Sequence, residues 1–167
     1  NLLLDWLSKE VWITTDSDIS TAAHDFYKTK SLDRINKFLN KYPDLPTITH
    51  VNDIPIKHYE EYIKNIDWDL LITELRPSNI HGDLQFDNVI ISESSEFKVI
   101  DWRHEFGSIV EYGDIYYDLA KLYGGFIIDY SKIKTNNFTI NLEGTRVYLD
   151  IPNRSEEHTS ELQSHHD

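Results

Sequence analysis

The sequence of 167 residues contains no cysteine, which excludes disulfide bonds and thiolate metal sites. Long apolar runs are also missing, since stretches such as "FII" and "NVII" fall far short of a transmembrane span. The opening segment "NLLLDWL" lacks the basic flank and the small-residue cleavage site of a signal peptide. With 40% hydrophobic and 13% aromatic residues, the chain has the composition of a protein with a packed core. We therefore expect a soluble, cytoplasmic protein with no membrane partner.

Positive charge is scarce. The chain has 16 Lys and Arg residues against 29 Asp and Glu residues, a formal net charge of −13. Such an acidic chain is a poor partner for nucleic acid or for an anionic membrane. The charge suits a cationic small molecule or a site that holds a divalent metal, and it is equally explained as an aid to solubility.

Both ends of the chain suggest a piece of a longer protein. The segment Arg154–Asp167, "RSEEHTSELQSHHD", has almost no apolar content, and its first part is the translation of a sequencing-library adapter (AGA TCG GAA GAG CAC ACG TCT). We expect these residues to be a non-native, disordered tail and exclude them from functional reasoning. The first residue is Asn1 and not methionine. The sequence therefore predicts one domain over residues 1–153, truncated at both ends.

Hydrophobic periodicity predicts a mainly helical α+β fold with short, local, antiparallel strands. Helices are predicted over residues 20–42 with a break near Lys30, and over 55–66, 67–76 and 114–125. We expect Ser20, Asp67 and Asp114 to cap helices, and the pair Gly124-Gly125 to end the last one. Hairpins are predicted around Asn52-Asp53 and Glu143-Gly144, and between the segments "NVIIS" and "EFKVID".

The most informative stretches are "HGDLQFDNVI" at residues 81–90 and "VIDWR" at residues 99–103. In an antiparallel hairpin, Asn88 at the start of the first strand and Asp101 at the end of the second lie side by side. Asp83, five residues before Asn88, is on the loop at that same end. An amide and a carboxylate oxygen suit Mg²⁺, and a further carboxylate can accept a proton from a hydroxyl nucleophile, which is how kinases divide these roles.

The same residues allow other interpretations. Asn88 alone is typical of an Asx turn, and Asp101 of a turn that follows a strand. His81 is more typical of a buried structural histidine than of an acid–base group. A metal-dependent hydrolase or a non-catalytic binding module therefore remains an alternative.

Three motifs together carry a resemblance to a known family. "HGDLQFDN" resembles the HGDxxxxN catalytic loop of the aminoglycoside phosphotransferase and choline kinase group, small-molecule relatives of protein kinases. "VIDWR" resembles the metal-binding segment that corresponds to the DFG motif of protein kinases, and "EYGDIYYDLAKLYGG" resembles the following D-x-x-x-D-L-A helix. The similarity is strong over residues 68–125, weaker over 2–67, and greatest to phosphotransferases of bacterial surface-polysaccharide gene clusters.

The resemblance implies a protein-kinase-like C-terminal lobe with a short catalytic hairpin. It makes Asp83 the catalytic base and His81 a second residue of the catalytic loop, which braces that loop. It makes Asn88 and Asp101 the residues that hold Mg²⁺ against the phosphates of ATP or GTP. Residues suggested to contact a small hydroxylated acceptor are Trp102, Arg103 and Asp118, although bracing of the loop is the favoured interpretation for Asp118.

The resemblance also points to missing parts. Kinases of this fold cover the phosphates with an N-terminal lobe that carries a glycine-rich loop. The only adjacent glycines here, Gly124 and Gly125, follow the catalytic loop. The N-terminal lobe is therefore expected to be absent from this sequence, and the fragment is expected to be inactive or nearly so.

Overall fold

The computed structural model describes residues 2–94, 96–103 and 105–151. The segment 154–167, interpreted above as a non-native tail, lies outside the described residues. The helices are α1 (Leu2–Glu10), α2 (Ser20–His24), α3 (Lys30–Lys41), α4 (Tyr59–Lys64), α5 (Trp68–Thr73), α6 (Ile115–Ile127) and α7 (Tyr130–Lys134). The strands are β1 (His50–Val51), β2 (Ile54–Pro55), β3 (Pro77–Ser78), β4 (Val89–Ile91), β5 (Phe97–Val99), β6 (Gly113–Asp114), β7 (Thr139–Glu143) and β8 (Arg146–Asp150).

The chain divides into two compact units. The first contains the residues up to Ile35 together with Asp67–Gly124, and the second contains Asn36–Ile66 and the described residues from Gly125 onward. The mixture of helices and strands confirms the α+β class. Among the described residues, no helix combines the length and the apolar content needed to cross a bilayer.

The helical segment that begins at Ser20 is confirmed, with two differences in detail. The break expected near Lys30 takes the form of a π-helical turn, Asp25–Thr29, which joins α2 to α3. Ser20 is not the cap, because it is the first residue of the helix and Ile19 occupies the N-cap position. The wider π turn allows two consecutive aromatic residues, Phe26 and Tyr27, to pack against the same buried cluster.

The first unit has two apolar clusters that flank the predicted catalytic loop. One is centred on Ile19, Ala22, Ala23, Ile80 and Phe106. The other is centred on Leu7, Val11, Trp12, Leu84 and Leu122. Since Ile80 and Leu84 belong to different clusters, the residues between them are anchored on both sides by burial of apolar side chains.

Two short strand pairs complete the first unit. The predicted hairpin is confirmed, with β4 and β5 antiparallel and Val89 opposite Val99. β3 pairs with β6, Pro77 opposite Asp114, a contact between distant segments that periodicity did not indicate. The expected cap is confirmed at Asp67, whose carboxylate accepts from the N–H of Leu70 at 2.9 Å.

The second unit contains a sheet in the order β2-β1-β8-β7. Both predicted hairpins are present, and their turns use left-handed backbone at Asn52 (φ 50°), Asp53 (φ 62°) and Gly144 (φ 60°). The expectation of local, antiparallel strands throughout is wrong, because β1 pairs with β8 in parallel, His50 opposite Arg146. Two hairpins that are each too small to be stable alone gain a shared sheet in this way.

The last predicted helix is longer than expected. α6 continues through Gly124 and Gly125 to Ile127, so the prediction that the glycine pair ends it is wrong. Glycine weakens a helix by only about 1 kcal/mol relative to alanine. Asp114 does act at the start of this helix, where its Oδ1 accepts from the N–H of Tyr116 at 3.3 Å and from the N–H of Arg76 at 3.0 Å.

Candidate active site

The backbone of the loop at residues 81–83 is held by one buried carboxylate. Asp118 accepts the N–H of His81 at 2.7 Å and the N–H of Gly82 at 2.8 Å, one on each oxygen. The indole N–H of Trp12 also donates to it, at 3.0 Å. Burial raises the pKa of Asp118 above its usual value, and these three donors act against that rise. Asp118 therefore occupies the bracing position that the sequence favoured, and because it is fully buried it offers no surface to an acceptor.

The His81 ring connects the loop to the segment around Asp101. Its Nε2 donates to the carbonyl of Ile100 at 2.7 Å, and its Nδ1 accepts from the N–H of Asp83 at 3.3 Å. A carbonyl can only accept and a backbone N–H can only donate, so the tautomer with its proton on Nε2 satisfies both bonds. The His81 carbonyl accepts from the N–H of Arg103 at 2.8 Å. His81 thus braces the chain on both sides of Asp101.

Gly82 stands where the two segments come closest. Its φ is +80°, and a Cβ at this position would lie 1.5 Å from the carbonyl oxygen of Arg103. No side chain fits between the two backbones. This explains in steric terms why the loop carries glycine at this position.

Asp83 is buried and surrounded by donors. Its Oδ1 accepts from the side-chain amide of Gln85 at 2.8 Å and lies 3.1 Å from Nζ of Lys121. Its Oδ2 lies 3.4 Å from Nε of Arg103. Burial raises the pKa of Asp83, but the hydrogen bond from Gln85 and the charges of Lys121 and Arg103 outweigh it, so the pKa lies below its usual value. At neutral pH the side chain is therefore a carboxylate.

Asn88 and Asp101 lie at the same end of the β4–β5 hairpin. The amide nitrogen of Asn88 donates to the carbonyl of Asp83 at 2.8 Å, which leaves the amide oxygen as the atom that can bind a metal. Ile100, next to Asp101, donates its N–H to the carbonyl of Asn88 at 3.0 Å. Asp101 itself is exposed and has a φ of +58°, a left-handed conformation that Asp and Asn adopt more readily than most other residues.

An amide oxygen and a carboxylate are the kinds of ligand that a hard divalent cation prefers, since Mg²⁺ binds through one or two protein oxygens together with phosphates and waters. Among the described residues, no group of three or more His, Asp and Glu side chains is placed to hold a metal ion. Asn88 and Asp101 supply only one amide and one carboxylate, so they do not make up such a group.

An open cleft of about 520 Å³ lies beside the loop in the same unit. Its lining residues are Asn79, Ile80, Trp102, Val110, Glu111 and Tyr112. Trp102, predicted to contact an acceptor, is one of them, and its ring packs on His81 with 4.9 Å between centroids. Arg103, another of the three residues suggested to contact an acceptor, lies beside Asp83, with 3.4 Å between its Nε and Oδ2 of Asp83.

Sequence reasoning missed three residues that shape this site. Lys121 follows Asp118 by three positions in α6 and so lies on the same helix face. This spacing, visible in the sequence, could have indicated that Lys121 lies near the loop. Gln85 lies within the loop motif itself. Trp12 gave no local signal, because it is 106 positions from Asp118.

The structure thus combines a buried aspartate, a loop whose backbone is braced by Asp118 and His81, and an amide and a carboxylate at one end of the β4–β5 hairpin. The family model of the "Phosphotransferase enzyme family" matches residues 18–142. The chain belongs to this family. No curated protein matches it, and no solved structure does.

Proposed function

We propose that this chain provides the catalytic lobe of an enzyme that transfers the γ-phosphate of ATP or GTP to a hydroxyl group of a small acceptor. Within the phosphotransferase family, we assign it a protein-kinase-like C-terminal lobe. We further propose a relation to the choline kinase group and to the phosphotransferases of surface-polysaccharide gene clusters, which the resemblance of the motifs at residues 81–88 and 99–103 supports. A cytoplasmic location is part of the proposal, because the nucleotide is found there.

The observation that carries the proposal is the environment of Asp83. Its carboxylate is buried, yet cations and an amide keep its pKa low, so that it is ready to accept a hydrogen bond from a hydroxyl group. In the proposed reaction the acceptor oxygen attacks the γ-phosphorus, the bond from that phosphorus to the bridging oxygen breaks, and Asp83 takes the hydroxyl proton. Holding the hydroxyl in this orientation is the main contribution expected from such a residue.

Asn88 and Asp101 are the residues proposed to hold Mg²⁺, which would neutralise charge on the phosphates when bound. The bond from Asn88 to the Asp83 carbonyl keeps the amide oxygen in a fixed orientation. The His81 bonds to Ile100 and Arg103 fix the backbone on both sides of Asp101. The cleft lined by Trp102, Glu111 and Tyr112 is the proposed acceptor site.

The 167 residues contain no glycine-rich, phosphate-covering loop. We therefore propose that the chain by itself is inactive or nearly so. Isothermal titration of the chain with Mg-ATP is expected to give no tight binding, and micromolar affinity would contradict this part of the proposal.

The decisive experiment uses the chain joined to the nucleotide-covering N-terminal lobe that the proposed reaction requires. Asp83→Asn should abolish transfer of the γ-phosphate to a panel of hydroxylated acceptors and leave nucleotide binding intact. If the parent chain hydrolyses its substrate without nucleotide and Asp83→Asn does not, the site is that of a hydrolase. If neither variant nor parent transfers phosphate, the lobe is a binding module.

A further inference from the structure

The two oxygens of the Asp83 carboxylate have different surroundings. Oδ1 accepts the amide of Gln85 at 2.8 Å and lies 3.1 Å from Nζ of Lys121. Oδ2 lies 3.4 Å from Nε of Arg103, which is longer than an ordinary hydrogen bond. One oxygen is therefore held closely and the other only loosely.

The two cations also differ in how firmly they are held. The side chain of Lys121 is 32% exposed, and its Nζ lies 5.6 Å from the centroid of the Tyr117 ring. Arg103 is 74% exposed. A cation so exposed contributes little to an ion pair and is easily displaced, whereas a partly buried cation held by a neighbouring ring is not.

Helix α6 contacts the loop at successive positions. Asp118 holds the N–H groups of His81 and Gly82, and Lys121, three residues further along the same helix face, holds the side chain of Asp83. The same rigid element thus fixes both the backbone of the loop and the direction of the carboxylate.

We infer that Lys121 is a positioning residue, which anchors Oδ1 of Asp83 so that Oδ2 points to the acceptor hydroxyl, and that Arg103 is the partner that the acceptor displaces. This inference rests on the proposed role of Asp83 as the base. It assigns different tasks to two cations that a sequence does not distinguish. With one oxygen anchored, the carboxylate presents a single oxygen in a fixed direction, as efficient proton abstraction requires.

The test is solution NMR of the whole 167-residue chain. The variants are Lys121→Met, Lys121→Arg and Arg103→Met, with Lys98→Met on the exposed side of β5 as a matched loss of charge away from the loop. Two quantities are measured at neutral pH: the side-chain rotamer of Asp83, from its Cβ proton couplings, and the exchange rate of the Gln85 side-chain amide. The amide protons of His81 and Gly82 report whether the loop is intact.

Lys121→Met removes the contact of Lys121 with Oδ1 of Asp83. The Asp83 side chain should then populate several rotamers, and the Gln85 side-chain amide should exchange about tenfold faster, as expected for the loss of one charge-assisted contact. Lys121→Arg should restore both, and Arg103→Met and Lys98→Met should change neither. An ordered Asp83 in Lys121→Met, or equal averaging in Arg103→Met, overturns the inference. If the amide protons of His81 and Gly82 lose their protection in Lys121→Met, the loop is no longer intact in that variant. Lys121→Gln is then measured in its place, and the same changes in the Asp83 rotamer and the Gln85 amide are expected.

Failure of this inference and failure of the proposed function are distinguishable, because the NMR measurement needs no catalysis. If phosphoryl transfer survives in Asp83→Asn, the proposed function is wrong even with an ordered carboxylate. If transfer is lost in Asp83→Asn while Lys121→Met leaves the carboxylate ordered, the function stands and the role of Lys121 is wrong.

Discussion

Replacing Gly82 with alanine should destabilise the protein strongly, because the added methyl group would meet backbone and not a movable side chain. Its Cβ would lie 1.5 Å from the carbonyl oxygen of Arg103 and 2.5 Å from the carbonyl carbon. The Arg103 segment would have to withdraw by about 2 Å to reach van der Waals distance. That movement breaks the bonds from Arg103 N–H to the His81 carbonyl at 2.8 Å and from His81 Nε2 to the Ile100 carbonyl at 2.7 Å.

The cost can be added up. Each lost hydrogen bond costs about 1 kcal/mol net. An alanine at φ +80° adds about 1–2 kcal/mol for the left-handed conformation. The sum of about 3–4 kcal/mol is a large share of the roughly 5–15 kcal/mol that stabilises a typical domain.

Urea unfolding followed by circular dichroism measures this loss, with Gly144→Ala as the matched control. Gly144 also has a positive φ, +60°, but a Cβ there meets nothing within 4 Å. Gly144→Ala should therefore cost only the conformational part, about 1–2 kcal/mol. Equal losses for the two variants would show that the close approach at Gly82 is not what makes glycine necessary there.

Three further predictions follow from the same contacts. Trp12→Phe removes the indole donor to Asp118 and should cost about 2 kcal/mol in urea unfolding, more than Trp6→Phe, a control in the same apolar cluster. The pKa of Asp83 is lowered, mainly by Gln85 and Lys121 against the effect of burial. Ionised Asp83 therefore stabilises the folded state, and this stabilisation is complete at pH values above the ordinary carboxyl pKa of about 3.9. The stabilisation is lost as the pH falls through the lowered pKa of Asp83 in the folded state. In thermal melts, the difference in Tm between the wild-type chain and Asp83→Asn should become smaller below about pH 4. Gly124 lies inside α6, and a Cβ there would meet nothing within 4 Å. Gly124→Ala should therefore raise the free energy of unfolding, measured with urea, by up to about 1 kcal/mol.

What could be predicted from the sequence was local. The turns at Asn52-Asp53 and Glu143-Gly144 were found because Asn, Asp and Gly tolerate positive φ. The β4–β5 hairpin and the loop before it were found because polar residues alternate sharply with apolar runs there. Family membership followed from those same short motifs, since their residues are adjacent in the chain.

What could not be predicted depends on contacts between distant segments. The parallel pairing of His50 with Arg146 leaves no periodic trace in either strand. The same holds for the hydrogen bond from Trp12 to Asp118. The helix through Gly124 and Gly125 was misjudged because a glycine lowers helix stability by only about 1 kcal/mol and so does not by itself end a helix.

The bond from Trp12 to Asp118 has a practical consequence. The indole is 8% exposed, and its N–H touches the carboxylate that holds the backbone of the loop. A chain that keeps Trp12 as its sole indole, with phenylalanine at positions 6, 68 and 102, would carry a built-in optical probe. The wavelength of its fluorescence maximum would distinguish molecules in which Trp12 is buried against Asp118 from those in which this contact is broken and the indole is exposed to water.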